Sequence, residues 1–296
     1  MQKLLEMLDC RYPIIQGPIG RENNPKLVAA ICDAGAYGML ALGFCGADTA
    51  KELVKGVRAL TEKPFGANIV LMNEANLEIL DVLAKAGVKT ITTSVGNPAK
   101  IYKRIHDLGM KGLHVTLSLL HAKRAEDAGA DGLVIVGSEA GGLRSKEPES
   151  STMVLVPLVA DNVHIPIVAA GGIAESRGYR AALALGAQGV QVGTRFLASI
   201  ESPVNEKWKQ AIVACNDGGT TLLPIGKMNT RVIITPKLME AMHNPQIDIS
   251  TIYDFSNAEK AFDTGDFDLF PPGAGQVSAL IKEIKPVGEI IREMVS

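Results

Sequence analysis

The sequence predicts an α/β protein built on a (β/α)8 TIM barrel. Helix-like segments repeatedly end in a glycine that is followed at once by an apolar run, as in "EDAGADGLVIV" and "LALGAQGVQVG". These runs are near-continuous rather than alternating, which is typical of parallel strands buried on both faces. Eight of them occur, the number that closes a barrel. A doubly wound open sheet is the alternative, but it usually has about five or six strands and a GxGxxG turn after the first.

Each predicted strand follows a helix end or a break in the chain. Glycines 35, 87, 109, 129 and 186 precede five of the runs, and a Pro64–Phe65 break precedes a sixth. The eight predicted strands are "PIIQGPI" (13–19), "AYGMLAL" (36–42), "FGANIVL" (65–71), "VKTITTS" (88–94), "KGLHVTLS" (111–118), "ADGLVIV" (130–136), "IPIVAAGGI" (165–173) and "AQGVQVGTRF" (187–196).

The pattern stops after Phe196, and the sequence predicts three parts. Residues 1–198 form the barrel, and residues 199–275 form a small, mostly helical subdomain over the barrel mouth. Residues 276–296 form a C-terminal helix, broken at Pro286, that returns to the barrel wall.

Composition excludes several classes of function. The 296 residues carry a formal net charge of −2, which gives no electrostatic reason to expect nucleic acid or an acidic membrane as partner. No apolar run reaches the roughly 18–20 residues of a membrane helix, and the N-terminus lacks a signal-peptide core, so we expect a cytoplasmic protein. The four cysteines are scattered without a CxxC pair, so we expect neither a metal site nor disulfides.

Glycine-rich turns follow the last three predicted strands: "GSEAGG", "AAGG" and "VGTRF". In barrels, backbone N–H groups after the seventh and eighth strands commonly hold a phosphate. We therefore expect Gly171, Gly172, Gly193 and Thr194 to bind one. Each turn alone would be explained by tight βα geometry, but the three together favour an anion site.

Polar groups at the ends of the first and third strands predict a flat heterocyclic ligand. Gln16, Gly17, Pro18 and Ile19 offer backbone groups beside an amide, and Asn68 places a second amide inside an apolar run. A buried amide needs hydrogen-bond partners, which a ring carrying N and C=O groups supplies. The alternative is that Asn68 bonds only to neighbouring backbone.

The motifs "PIIQGP", "AGAYGMLA", "FGANIVL", "GSEAGG", "IPIVAAGGIA" and "GAQGVQVGTRF", in this order, resemble one family. It comprises the FMN-dependent nitronate monooxygenases, also called 2-nitropropane dioxygenases, and the flavin type of enoyl-acyl-carrier-protein reductase. The tail "AGQVSALIKEIKP" resembles the reductase branch more closely. The resemblance implies a barrel with non-covalent FMN at its mouth.

The resemblance also assigns residues to the cofactor. Glu139 belongs to the family turn, where we favour a structural role in accepting turn N–H groups over a catalytic one. The residues implied in FMN binding are Gln16, Gly17, Pro18, Ile19, Asn68, Glu139, Ala140, Gly141, Gly142, Ala170, Gly171, Gly172, Gln191, Gly193, Thr194 and Gln276.

The chain departs from the family at Leu143, where the resemblance implies a histidine that acts near the flavin. Leucine has no proton to exchange, and a general acid or base typically contributes roughly 10²–10⁴-fold in rate. His114 and Ser94 are candidate replacements, with a structural histidine as the alternative for His114. Arg144 is either an anchor for a carboxylate or phosphate or a solvated surface residue, and Tyr37 is either a proton donor or a packing residue.

These observations favour an FMN-dependent oxidoreductase that reduces an activated C=C bond, such as that of an enoyl thioester, with NAD(P)H as reductant. The alternatives are a nitronate monooxygenase that oxidises alkyl nitronates with O₂ and a flavin-binding protein without turnover. We expect a small-molecule or acyl-thioester substrate. Other barrels of this kind are commonly homodimers, and only this analogy suggests that this protein is one.

Overall fold

The computed structural model describes residues 1–19 and 25–296. Eight of its strands are parallel and form one sheet, which confirms the predicted barrel strands. The strands in chain order are β1 (Ile14–Gln16), β2 (Met39–Ala41), β3 (Gly66–Val70), β4 (Thr90–Ser94), β5 (Lys111–Thr116), β6 (Gly132–Val136), β7 (Gly142–Arg144), β8 (Ile167–Ala170), β9 (Gly189–Val192), β10 (Thr220–Ile225) and β11 (Met228–Ile233). Only β7, β10 and β11 lie outside the parallel sheet of the described chain.

Backbone hydrogen bonds around Tyr37 close the barrel. The sheet runs in the order β1-β9-β8-β6-β5-β4-β3-β2, so β1 and β2 are its ends. Tyr37, just before β2, donates its N–H to the carbonyl of Ile14 at 2.8 Å and accepts from the N–H of Gln16 at 2.9 Å. Its buried hydroxyl donates to the carbonyl of Thr90 at 2.8 Å, and burial raises the pKa of that hydroxyl. Tyr37 is therefore a packing residue that joins both ends of the sheet to β4.

Helices surround the barrel, and the first helix fills one of its ends. Leu4 and Leu8 of the first helix pack with Ile15 and Met39 in the barrel interior. No helix of the described residues is long and apolar enough to cross a membrane. The helices are α1 (Gln2–Leu8), α2 (Pro25–Asp33), α3 (Ala47–Arg58), α4 (Asn76–Lys85), α5 (Tyr102–Asp107), α6 (Leu119–Asp127), α7 (Thr152–Ala160), α8 (Ser176–Ala184), α9 (Thr194–Leu197), α10 (Glu206–Ala214), α11 (Pro236–His243), α12 (Ala258–Thr264) and α13 (Val287–Val295).

The segment 199–275 contains three helices, α10 to α12, and also a β-hairpin that the sequence analysis did not predict. β10 and β11 are antiparallel, and β11 pairs in turn with β7, the short strand that follows β6. The family turn at 142–144 is therefore one edge of a three-stranded sheet beside the barrel mouth. At the other end of the chain, α13 packs against α2 and α8 on the barrel wall. The division of the chain after residue 198 stays a prediction.

We predict that Tyr37→Phe lowers the free energy of unfolding by about 1–3 kcal/mol, because the buried carbonyl of Thr90 loses its donor. Urea unfolding measures the change. Tyr12→Phe is the control, since the half-buried Tyr12 hydroxyl has no hydrogen bond among the described residues. Equal stability of the two variants would contradict the closing role of Tyr37.

Candidate functional site

A cavity of about 1050 Å³ lies at the carboxyl ends of the barrel strands. This volume is at the upper limit of small-molecule sites, about 300–1,000 Å³, so it can hold a cofactor together with a substrate. All predicted cofactor residues except Gln16 and Gln276 line it: Gly17, Pro18, Ile19, Asn68, Glu139, Ala140, Gly141, Gly142, Ala170, Gly171, Gly172, Gln191, Gly193 and Thr194.

The turns after β8 and β9 expose backbone toward this cavity. Gly171 and Gly172 have φ values of 102° and 74°, a conformation that favours glycine. A Cβ placed on Gly193 would meet nothing within 4 Å, so open space lies beside it. α9 begins at Thr194, and the first N–H groups of a helix have no partner within it. Backbone N–H donors without partners therefore lie beside open space at these turns, and such a place suits an anion.

The turn after β6 is held against the segment 274–276. A Cβ on Gly141 would lie 2.8 Å from the backbone of Ala274 and Gly275. The N–H of Gly275 donates to the Thr194 hydroxyl at 2.9 Å, and the N–H of Gln276 donates to the Glu139 carbonyl at 2.9 Å. The side chain of Gln276 is exposed and lies outside the cavity lining. The backbone of Gln276 therefore contacts the turn after β6, and the expectation that Gln276 reaches the cofactor stays a prediction.

The Glu139 carboxylate holds the start of α7. Its oxygens accept from the N–H of Thr152 at 3.0 and 2.9 Å, and the Thr152 hydroxyl lies 3.0 Å from both Glu139 Oε2 and the carbonyl of Gly171. Thr152, which the sequence analysis missed, thus joins the turns after β6 and β8. This geometry is that of a structural carboxylate.

Asn68 belongs to a polar cluster that faces the cavity. Its Nδ2 donates to Thr92 Oγ1 at 2.9 Å and lies 3.4 Å from Ser94 Oγ. The alternative that Asn68 bonds only to neighbouring backbone is wrong, because both partners are side chains of β4. Asn68 and Ser94 line the cavity, and the Ser94 hydroxyl is oriented by the amide.

Two glutamines near the cavity have buried polar atoms without a partner in the described part of the chain: Gln16 Nε2 and Gln191 Oε1. Gln16 is fully buried, and its Oε1 accepts from the N–H of Met39 at 3.1 Å, so it lies behind the lining rather than in it. Gln191 does line the cavity. An unpaired buried acceptor costs about 1–3 kcal/mol, and a ligand with an N–H group would satisfy it.

Leu143 lies opposite Thr230 of β11, half-buried and in the cavity lining. The next residue, Arg144, is 1% exposed. Its guanidinium pairs with Glu149 at 2.6 Å and donates to the carbonyl of Gly137 at 2.9 Å. The prediction of a solvated surface residue is wrong, because Arg144 is buried and its charge is paired inside the protein. Arg144 also lines the cavity, and its role as a substrate anchor stays a prediction.

His114 faces the outer helices rather than the barrel interior. A Cβ on Gly112, two residues earlier in β5, would lie 2.7 Å from Tyr102 of α5, and alternate strand residues share a face. His114 Nδ1 lies 2.7 Å from Thr93 Oγ1, which is 3.1 Å from the Tyr102 hydroxyl. His114 is also among the residues that line the cavity. The contacts are those of a structural histidine.

The loop after β4 brings a strained residue into the lining. Val95 has φ of 50°, which is unusual for a β-branched residue. Val95 and the following Gly96 both line the cavity. Nothing in the sequence marks Val95, because its conformation is imposed by the fold.

This chain is similar in sequence and in structure to known proteins. A family model for nitronate monooxygenase matches residues 1–86 and 76–296. The nitronate monooxygenase of Paraburkholderia phytofirmans is 28% identical over 98% of this chain and 93% of that protein. FabK of Thermotoga maritima, a flavin enoyl-acyl-carrier-protein reductase, superposes with a TM-score of 0.89 at 34% identity, over 99% and 94% of the two chains. A nitroalkane oxidase of Streptomyces ansochromogenes superposes with a TM-score of 0.81 at 26% identity, over 99% and 96%.

We predict that His114 makes stability depend on pH. Burial, followed by the nearby His121, lowers its pKa from 6.5 to about 4. Between these values the unfolded state binds the proton more readily, so the free energy of unfolding falls as pH is lowered, by about 2 kcal/mol at pH 5. Urea unfolding at pH 7.5 and pH 5 measures this loss.

The variant His114→Asn is expected to lose most of that pH dependence. His164→Asn, at an exposed histidine, is the control and is expected to retain it. A wild-type stability that is the same at pH 7.5 and pH 5 would contradict the buried neutral histidine.

Proposed function

Because this chain belongs to the nitronate monooxygenase family of flavin-dependent oxidoreductases, we propose that it is an FMN enzyme that reduces an activated C=C bond with NAD(P)H. The observation that carries this choice of reaction is Leu143, an apolar side chain in the cavity lining where the resemblance implies a histidine. The substrate class proposed is a 2-enoyl thioester.

The residues present fit FMN. We assign the phosphate to the backbone at Gly172, Gly193 and Thr194. Open space lies beside Gly193, and the first N–H groups of α9 have no partner within that helix. The Asn68 amide and the unpaired Gln191 Oε1 are the side-chain groups available to the ring. When bound, the flavin supplies hydride chemistry, and the protein supplies binding and orientation.

The cavity lining supports an acyl substrate. Beside Leu143 it contains aromatic and aliphatic side chains from the subdomain, including Met228, Phe255, Phe262 and Phe270. Apolar surface of this kind binds an acyl chain better than a small charged nitronate. The Ser94 hydroxyl, oriented by Asn68, is the proposed donor to the substrate carbonyl.

Nitronate oxidation is the second candidate, and the family model favours it. A nitronate is already deprotonated and needs no base, so Leu143 is compatible with that substrate. A neutral nitroalkane must lose a proton first, and Leu143 cannot accept it.

We predict that NADH or NADPH bleaches the 450 nm flavin band of the purified protein under nitrogen. A 2-enoyl thioester then restores the band, and the nitronate with O₂ turns over slowly by comparison. Oxygen consumption that depends on the nitronate, with no reoxidation of the flavin by the thioester under nitrogen, would contradict the reductase and leave the second candidate. A yellow protein that neither nucleotide bleaches would indicate flavin binding without turnover.

We predict that Gly193→Val weakens FMN binding at least about tenfold, because its side chain would occupy the open space beside the turn. Flavin fluorescence on titration of the apoprotein measures the Kd. Gly46→Val is the matched control, since a Cβ there also meets nothing within 4 Å but Gly46 lies at the start of α3. Equal FMN affinity in both variants would contradict the assigned phosphate site.

A further inference from the structure

Two lysines lie at the rim of the cavity beside the three-stranded sheet. β7 and β11 are antiparallel with Asn229 opposite Arg144; Lys146 follows β7 by two residues, and Lys227 lies in the turn between β10 and β11. The strands stay together beyond the pairing, because Asn229 Nδ2 donates to the carbonyl of Ser145 at 3.1 Å. Both lysines are exposed and both line the cavity.

These two lysines carry the same charge on neighbouring segments of the chain. Like charges repel each other, so neither lysine neutralises the other. Within the described residues, no carboxylate lies within ion-pair distance of Lys146 or Lys227. A group of opposite charge from outside the protein would remove the repulsion.

Besides the two lysines, the lining contains two arginines and three carboxylates, and one of the arginines, Arg144, is paired with Glu149. Arg124 of α6 adds a third exposed cation. Glu139 is engaged with the start of α7, and the other lining carboxylates, Glu259 and Asp263, both lie on α12. Glu147 is exposed but lies outside the lining. The lysine rim and the α12 carboxylates therefore belong to different elements of the mouth.

The position of the rim restricts what it binds. Lys146 is three residues from Leu143, so their Cα atoms are at most about 10–11 Å apart. The glycine turns after β8 and β9 belong to the barrel, whereas Lys146 follows β7 and Lys227 lies in the turn between β10 and β11, both next to the three-stranded sheet. The rim therefore suits a charged group on a substrate whose reacting end lies near Leu143.

We propose that Lys146 and Lys227 bind a phosphoryl group of a substrate, either on the carrier of the thioester or on NAD(P)H. Ammonium groups on flexible stems bind phosphate as point charges. This inference rests on the proposed function for the identity of the substrates, and it adds a recognition site outside the reacting centre.

The test compares the holoenzyme variant Lys146→Gln/Lys227→Gln with a control variant, Lys51→Gln/Lys85→Gln, at two exposed lysines of α3 and α4. Calorimetry measures the Kd of coenzyme A and of NADPH. Kinetics measure KM for a 2-enoyl thioester of coenzyme A and for the same acyl group on N-acetylcysteamine, which has no phosphate.

We expect the rim variant to raise the KM of the coenzyme A thioester about fivefold to tenfold, with kcat and the KM of the N-acetylcysteamine thioester unchanged. A rise confined to the KM and Kd of NADPH supports the site and assigns its phosphoryl group to the nucleotide. No change in any of these constants, or the same change in the control variant, overturns the proposal.

The two proposals fail in different ways. If the wild type reduces neither thioester but the rim variant weakens coenzyme A or NADPH binding, the reductase function fails and the phosphoryl site stands. If both thioesters are reduced and the rim variant binds both ligands like the wild type, the phosphoryl site fails. A wild type that binds neither ligand also overturns the site.

Discussion

The close approach of two backbones shapes the mouth of this barrel. Gly141 and Gly275 come so near that a Cβ on Gly141 would lie 2.8 Å from the opposite chain. Hydrogen bonds from the N–H groups of Gly275 and Gln276 fix that contact to α9 and to the turn after β6. A chain segment more than 130 residues away in sequence is thereby joined to the end of a barrel strand. The glycine turns that suit a phosphate and the edge that carries Leu143 meet at this contact.

A buried ion pair holds the strand β7 in place. The guanidinium of Arg144 is bound to Glu149 and to the carbonyl of Gly137, so the strand β7 is anchored immediately beside Leu143. Removing one partner from a buried ion pair typically costs about 3–5 kcal/mol, because the other charge is left unpaired. The paired charges at this turn therefore serve its geometry, and the half-buried side chain that β7 adds to the cavity lining beside them, Leu143, is apolar. The groups that hold the turn in place are therefore different from the side chain, Leu143, that is proposed to contact the substrate.

The sequence predicted the barrel because its signal is local and repeated. A glycine after each helix and an apolar run after each glycine follow from backbone conformation and burial, and both can be read without contacts. The hairpin was missed although "PIGKM" contains a turn glycine, because Pro224 argues against a strand and the partner strand β7 lies about 85 residues earlier. The burial of Arg144 and the exposure of the Gln276 side chain were not predicted, for a similar reason. Arg144 is buried because it pairs with Glu149, and the side chain of Gln276 is exposed because its backbone is held at the contact beside Gly275. Neither contact produces a periodic pattern in the sequence.

The central claim is that Leu143 selects C=C reduction over nitroalkane oxidation, and its most direct test is oxygen consumption with a neutral nitroalkane by Leu143→His. The histidine would supply the missing base, so we predict a rate at least about 10²-fold above that of the wild type. Leu143→Gln, which is polar but cannot accept the proton, should show no such gain. A wild type that already oxidises the nitroalkane as fast as the histidine variant would contradict the claim.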